Sequence, residues 1–356
     1  MADHLLQDWA MRLLRLSDPE TAHRWALQAV RCGLVPSLPP PPANLGTTAF
    51  GRPLASPVGI AAGLDKDGEA IAPLLAIGIA FVEIGAVTPK PQPGNPKPRL
   101  FRLPEDRAVI NRFGFNSAGH AAVAERLAAF RRYSRHAGGV VGVNLGMNKD
   151  SADPAADYEA GVRAFAPYAD FVTINVSSPN TAGLRDLQQE ESLLAIARNS
   201  RAALAGMPGN CRLMVKLAPD LSDEAAASLV RRMTAAGDVD GWIVSNTTIA
   251  RPDTLKSPNA REAGGLSGPP VFERSTALLR VVWQASGGGF IIGAGGVRDG
   301  ATALAKIRAG ASLLQLYTAM VYEGPGVIGR IQAELGDLLA AEGFASVSDA
   351  VGADCR

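Results

Sequence analysis

The sequence predicts a closed parallel barrel of eight β/α units, a (β/α)8 TIM barrel, with a small N-terminal two-helix domain ahead of it. Three observations lead there. Eight apolar runs of strand length recur near 58–61, 80–85, 140–145, 171–176, 213–218, 241–245, 290–294 and 313–317. Amphipathic stretches rich in Ala, Leu and Arg lie between most of them, and buried strands alternating with helical crossovers are the pattern of a parallel sheet. Almost every run also ends in a polar or glycine-rich motif on its C-terminal side, the rim where such a barrel gathers its chemistry. A doubly wound sheet shares the first two features. Eight units in about 300 residues, with polar strand ends throughout, favour the barrel.

Taken in order, residues 1–35 read as a helix pair. Leu5, Leu6, Trp9, Leu13 and Leu16 recur at helical spacing, and Ala22, Trp25, Ala26, Ala29 and Val30 form one side of a second helix ending at Gly33. Between them, Ser17-Asp18-Pro19-Glu20 reads as a capping box: the Ser17 hydroxyl accepts an amide hydrogen bond while Glu20 reaches back. Residues 36–43 are a proline-rich linker, expected to be a stiff, extended spacer. Residues 44–345 form the barrel and 346–356 a C-terminal tail. Two insertions, about 86–116 and 249–269, are expected to overhang the barrel mouth. The first carries Pro89, Pro91, Pro93, Pro96 and Pro98 and reads as a rigid loop or hairpin.

Composition narrows the function. The 356 residues are 47% hydrophobic, enough for a large core, and the net charge of +1 comes without any basic block, so nucleic acid is not an expected partner. Cys32, Cys211 and Cys355 lie far apart with no C-x-x-C spacing, which suits packing residues in a reducing compartment. The longest apolar run, Ile71 to Val82, contains Pro73 and is too short to span a bilayer. Asp3, Asp8 and Arg12 interrupt the N-terminus, so no signal peptide is read there, and the cytoplasmic side is expected. None of His4, His23, His120 and His136 falls at a strand end, which leaves Ser-His-Asp chemistry and metal ligation without support.

The strand ends carry the chemistry. Lys66 and Lys216 point toward one mouth, and a buried lysine is costly unless it faces an anion or finds a salt bridge. Glycines after the seventh strand, with Tyr317-Thr318 after the eighth, form a phosphate cradle, which Gly265 and Gly268 can join. Asn111, Asn144, Asn175, Asn180 and Asn246 all fall at strand ends or in the overhanging loop. Each amide offers donors and an acceptor, so together they suit a small planar ligand with alternating C=O and N–H groups, such as a pyrimidine. Asn116 and Asn148 fit turn formation better. A non-redox barrel that binds a phosphorylated metabolite, such as a lyase or isomerase using Lys66 or Lys216 as a Schiff-base amine, is a rival reading, and a catalytically silent flavoprotein serving as a membrane-bound interaction module is another.

The motifs run in a fixed order. They are A-A-G-L-D-K-D-G at 61–68, T-P-K-P-Q-P-G-N-P-K-P-R-L-F-R-L-P-E-D at 88–106, N-R-F-G-F-N at 111–116 and N-L-G-M-N-K-D at 144–150. N-V-S-S-P-N-T at 175–181, V-K-L-A-P-D at 215–220, N-T-T at 246–248, G-G-L-S-G at 264–268 and G-A-G-G at 293–296 complete the set. With P-E-T-A-H-R-W at 19–25, the sequence resembles the quinone-dependent class (class 2) of the dihydroorotate dehydrogenase family over nearly its whole length.

That resemblance implies oxidation of (S)-dihydroorotate to orotate in pyrimidine biosynthesis, with FMN as hydride acceptor and a membrane quinone (ubiquinone or menaquinone) as final acceptor. It implies FMN phosphate at Gly268, Gly296, Tyr317 and Thr318. Ala62, Gly63, Lys66, Ala86, Asn144, Asn175, Lys216 and Ser245 would hold the rest of the cofactor. It assigns the substrate to Lys66, Asn111, Arg112, Phe113, Gly114, Phe115, Asn175, Asn180, Asn246 and Thr247. Ser178 becomes the base that removes a proton from C5, with Thr181 as a relay, and His23 and Arg102 line a quinone path between the N-terminal helices. Serine at 178, where soluble relatives carry cysteine, agrees with that class. Ala86 departs from the serine or threonine usual there, so one flavin hydrogen bond is expected to be missing. Peripheral attachment to the membrane at its cytoplasmic face follows from the resemblance alone, because the four acidic and four basic residues of 1–35 give no attraction to anionic lipid.

Overall fold

A computed structural model describes residues 16–177 and 190–356. Eight parallel strands close into a barrel with chain neighbours side by side. They are β1 (Val58–Ile60), β2 (Phe81–Val87), β3 (Val140–Leu145), β4 (Phe171–Ile174), β5 (Arg212–Leu217), β6 (Gly241–Val244), β7 (Ile291–Ala294) and β8 (Leu313–Leu316), and β8 pairs back onto β1. All eight coincide with the apolar runs of the sequence, because a strand covered by helices outside and packed inside needs apolar residues on both faces.

Helix α1 (Pro19–Arg31) precedes the barrel. Around the barrel run α2 (Ile71–Ala76), α3 (His120–Tyr133), α4 (Pro154–Phe165), α5 (Glu190–Ala205), α6 (Asp223–Ala236), α7 (Phe272–Ala285) and α8 (Gly300–Arg308). After β8 come the short α9 (Thr318–Glu323) and α10 (Gly326–Ala341). Several starts are set by side chains accepting exposed amides: Asp153 from Ala156, Ser222 from Ala225, and Asp299 in a reciprocal capping box with Thr302.

Every second strand residue points inward, and the interior divides by height. The lower half is apolar: Phe81, Val140, Phe171, Met214, Ile243, Ile292 and Leu313 form one cluster. A hairpin of Thr47–Ala49 and Arg52–Leu54 adds to it from below, with Phe50 stacked on Phe171 at 4.7 Å and edge-on to Phe290 at 5.2 Å. Glycine makes room for the rings. A Cβ at Gly142 would lie 2.0 Å from the Phe171 ring, and one at Gly59 would lie 2.4 Å from that of Phe81. The upper half holds Glu83, Asn144, Thr173, Lys216 and Gln315, all buried.

Both insertions overhang the mouth, as the sequence suggested, and they join. Leu100–Leu103 and Ala108–Asn111 form an antiparallel hairpin, and Gly265–Ser267 pairs with its second strand. Arg251 organises the second insertion by donating to the carbonyls of Thr248, Ile249, Ala250, Ala260, Glu262 and Gly264. Asn148 takes the structural part expected of it, exchanging hydrogen bonds with Lys90 and donating to Gln92 in the proline-rich loop.

Three expectations for the N-terminal region need correcting. The cap of α1 is Asp18, which accepts from the Thr21 amide at 2.9 Å; Ser17 is not the cap. Glu20 does not reach back, because Arg99 holds it through two hydrogen bonds of 2.8 and 3.1 Å, with Lys97 at 3.3 Å, and this pins α1 to the overhang. Trp25 does not share the inward face and is 57% exposed, while Val30 is buried. The proline run is extended but not a free-standing spacer. Leu38 donates to the Ile77 carbonyl, and Pro39 and Pro42 lie where side chains at Gly329 and Gly336 of α10 would sit. The C-terminal stretch also packs down, with the Gly352 amide bound to the Ile307 carbonyl.

The glycine and ring stacks of the barrel floor give a direct test. Gly142→Ala is expected to lower the unfolding free energy by about 1–3 kcal/mol through over-packing against Phe171, read from denaturant midpoints at unchanged slope.

Candidate functional site

A cleft open to solvent lies over the carboxyl ends of the strands. Its wall gathers residues from all parts of the chain. Ala62, Gly63 and Lys66 follow β1, Ala86 ends β2, and Asn111, Phe113, Gly114 and Phe115 descend from the overhang. Asn144 and Lys216 come from β3 and β5, Asn175 follows β4, and Ser245, Asn246 and Thr247 follow β6. Gly268, Gly296, Tyr317 and Thr318 close the ring.

One buried carboxylate orders the amides. Glu83, fully buried on β2, accepts from Asn144 Nδ2 at 2.8 Å and from Gln315 Nε2 at 2.9 Å. A carboxylate only accepts, so Asn144 must turn its nitrogen to Glu83 and its oxygen away. That oxygen accepts from Asn175 Nδ2 at 2.7 Å. Asn175 Oδ1 then accepts from the Ser177 hydroxyl at 3.0 Å, the Ser177 amide at 3.3 Å and Asn246 Nδ2 at 3.2 Å. Asn246 Nδ2 also donates to Ser177 Oγ at 2.9 Å, and its Oδ1 accepts from the Thr247 amide. Among the described residues, Asn175 is left with an N–H to offer and Asn246 with an oxygen lone pair. Donor beside acceptor is the pattern that a ring carrying C=O next to N–H requires.

Two cations sit in this polar half. Lys216 is buried on β5 and lines the cleft. Lys66 Nζ lies 4.3 Å from the Phe113 ring centroid, and burial, followed by the nearby Arg99 guanidinium, pushes its pKa down to about 8. A bound anion would draw that pKa back up.

The glycine-rich end fits a phosphate. Gly268, Gly295 and Gly296 have φ of +100°, +94° and +79°. Added Cβ atoms would meet Arg107 O at 2.9 Å, Ser275 Oγ at 2.9 Å and Phe272 Cβ at 2.6 Å, so only glycine leaves the backbone free to approach a ligand. Thr318 Oγ1 donates to Ser267 Oγ at 2.8 Å beside them. Lower down, Gln315 Oε1 is buried with no partner, an acceptor awaiting a donor from ligand or water.

A second cavity lies between α1 and the barrel, lined by apolar residues such as Ala22, Ala26, Leu27, Val30 and Met320, with His23 and Arg102 at its wall. Leu100 and Tyr317 border both cavities. The Tyr317 hydroxyl lies 3.4 Å from His23 Nδ1. Burial pushes His23 down to about 4 and Tyr317 up to about 12, so both are neutral over ordinary pH. Arg102 donates to the Ser17 carbonyl.

Arg112 departs from expectation. Its side chain turns from the cleft to Glu262 at 2.6 Å and to the Phe101 ring, because the second insertion offers it a carboxylate. Ser178, Asn180 and Thr181 lie outside the described residues. Sequence reasoning missed Glu83 and Gln315. The clue was available: each is a polar residue inside a run otherwise apolar, Phe81-Val82-Glu83-Ile84 and Leu313-Leu314-Gln315-Leu316.

Comparison with known proteins points to one family and one fold. The family model described as "Dihydroorotate dehydrogenase" matches residues 44–339. A "Dihydroorotate dehydrogenase (quinone)" of Parvibaculum lavamentivorans is 50% identical over 347 residues, covering 97% of each chain. The mitochondrial "Dihydroorotate dehydrogenase (quinone)" of Mus musculus is 48% identical, covering 99% of this chain and 91% of its own. The crystal structure of DHODH from Eimeria tenella in complex with ferulenol superposes with a TM-score of 0.91 at 40% identity, covering 95% and 96% of the two chains.

The carboxylate anchor can be tested on stability alone. Glu83→Ala strands the buried amides of Asn144 and Gln315 and is expected to cost about 2–5 kcal/mol of unfolding free energy, with Glu83→Gln costing less; equilibrium denaturation measures both.

Proposed function

The chain belongs to the dihydroorotate dehydrogenase family, and from that premise we propose that it oxidises (S)-dihydroorotate to orotate with bound FMN and passes the electrons to a membrane quinone. The observation that carries this reading is the pairing of two unlike cavities across Leu100 and Tyr317: a polar cleft bearing two lysines, and an apolar cavity under α1. A water-soluble, carboxylated pyrimidine suits the first and a lipophilic quinone the second.

In this reading Gly268, Gly296, Tyr317 and Thr318 hold the FMN phosphate. Ala62, Gly63, Ala86, Asn144, Lys216 and Ser245 hold the rest of the cofactor, the Ala86 methyl giving no hydrogen bond. FMN, when bound, supplies a two-electron acceptor for the hydride from C6 and a donor to the quinone. Asn111, Asn175, Asn180, Asn246 and Thr247 orient the pyrimidine, and the Phe113 to Phe115 turn walls it from water. Lys66 pairs with the substrate carboxylate. Ser178 takes the C5 proton and Thr181 passes it outward. A lone serine is a poor base, so this role depends on the water-poor site and on that outlet. His23 and Arg102 receive the quinone head group. No helix among the described residues is long and apolar enough to cross a membrane, and attachment is proposed through residues 1–35 at the surface.

Anaerobic mixing with dihydroorotate, followed at the flavin absorbance and then by addition of a ubiquinone analogue, tests the whole reading. Bleaching and then recovery are expected. A colourless protein that takes up no flavin sinks it, and a yellow protein that stays yellow removes the substrate assignment. Ser178→Ala is expected to retain FMN and orotate while slowing bleaching about 10²–10⁴-fold; a near-normal rate would refute Ser178 as the base. Because Lys66 loses its proton near pH 8 and a carboxylate needs that proton, orotate affinity is expected to be level below about pH 7. It should fall by up to about tenfold per unit above pH 8, in titrations across that range.

A further inference from the structure

Behind the glycine cradle lies a charged side chain with no role in the reading above. Lys306, on α8, is fully buried. Its Nζ donates to Ser275 Oγ at 2.8 Å and Thr276 Oγ1 at 3.1 Å and lies 5.3 Å from the Phe272 ring centroid. Those partners are neutral hydroxyls, both in the first turns of α7, and both hydroxyls bond to the Phe272 carbonyl. Ser275 Oγ also meets the Gly295 carbonyl at 3.1 Å. Ammonium, hydroxyl and glycine carbonyl thus form a chain that ends in the cleft wall. The next residue, Gly296, packs on Phe272 so closely that a Cβ there would lie 2.6 Å from the Phe272 Cβ. The chain therefore clamps the glycine turn against the start of α7.

A buried ammonium held only by hydroxyls is costly, and a nearby anion offsets the cost. Burial pushes Lys306 down to about 7, with Glu273 raising it and Arg280 lowering it, so its proton is weakly held until further negative charge arrives.

We propose that Lys306 is a positioning residue and counter-charge for a dianionic phosphate monoester seated on Gly295 and Gly296, acting through Ser275. It rests on the reading of this cleft as the FMN site. The test titrates the full chain, freed of flavin, with FMN and with riboflavin, followed by flavin fluorescence. The two ligands differ only in the phosphate. Wild type should bind FMN far more tightly than riboflavin. Lys306→Met should weaken FMN about 10- to 100-fold and leave riboflavin unchanged. Lys306→Arg should recover part of the loss. Ser275→Ala, which breaks the link and keeps the ammonium, should give a smaller loss, again for FMN only, and serves if Lys306→Met does not fold. Variants that weaken both flavins equally, or neither, overturn the proposal. A wild-type chain that binds both flavins alike overturns the FMN reading and the proposal with it.

Discussion

The buried Glu83 carboxylate receives the amide nitrogens of Asn144 and Gln315, and because it cannot donate, it fixes the direction of every hydrogen bond that follows. Asn144 must show its oxygen to Asn175, and Asn175 its oxygen to Ser177 and Asn246. The order passes from β2 through β3 and β4 to the end of β6 without a break. It ends at Ser177, the residue before the proposed base. Amides are symmetric enough in shape to flip, so an asparagine ring without such an anchor would present no fixed face to a ligand.

The anchor works because of what lies beneath it. The apolar lower half, with Phe50 stacked on Phe171 from the hairpin, closes the floor with packed side chains. Hydrogen bonds away from water are stronger, and an unpaired group there is costlier, so the amides around Glu83 are held firmly to the direction that its carboxylate sets. The overhang adds a lid of fixed shape, tied by Arg251 and by the ion pair of Glu20 with Arg99.

The strands were legible because a barrel strand is apolar on both faces and announces itself as a run. The site residues were legible as positions: a lysine or asparagine at the end of such a run has few other reasons to be there. Their order was not, since Glu83 interrupts an apolar strand and gives no hint of which nitrogens it will meet. Long-range partners defeated local rules twice. Ser17-Asp18-Pro19-Glu20 has the spacing of a capping box, yet Arg99, distant in sequence, claims Glu20. Arg112 stands in a motif that the resemblance assigns to the substrate, yet Glu262 draws its side chain aside. The roles of Ser178, Asn180 and Thr181 come from resemblance alone.

Leu100 and Tyr317 are the shared wall of two otherwise separate chambers. Occupants on opposite sides of that wall do not contend for space. A compound lodged under α1 therefore competes with whatever enters there and leaves saturation of the polar cleft untouched. Selective blockers of one chamber can be sought without imitating the ligand of the other.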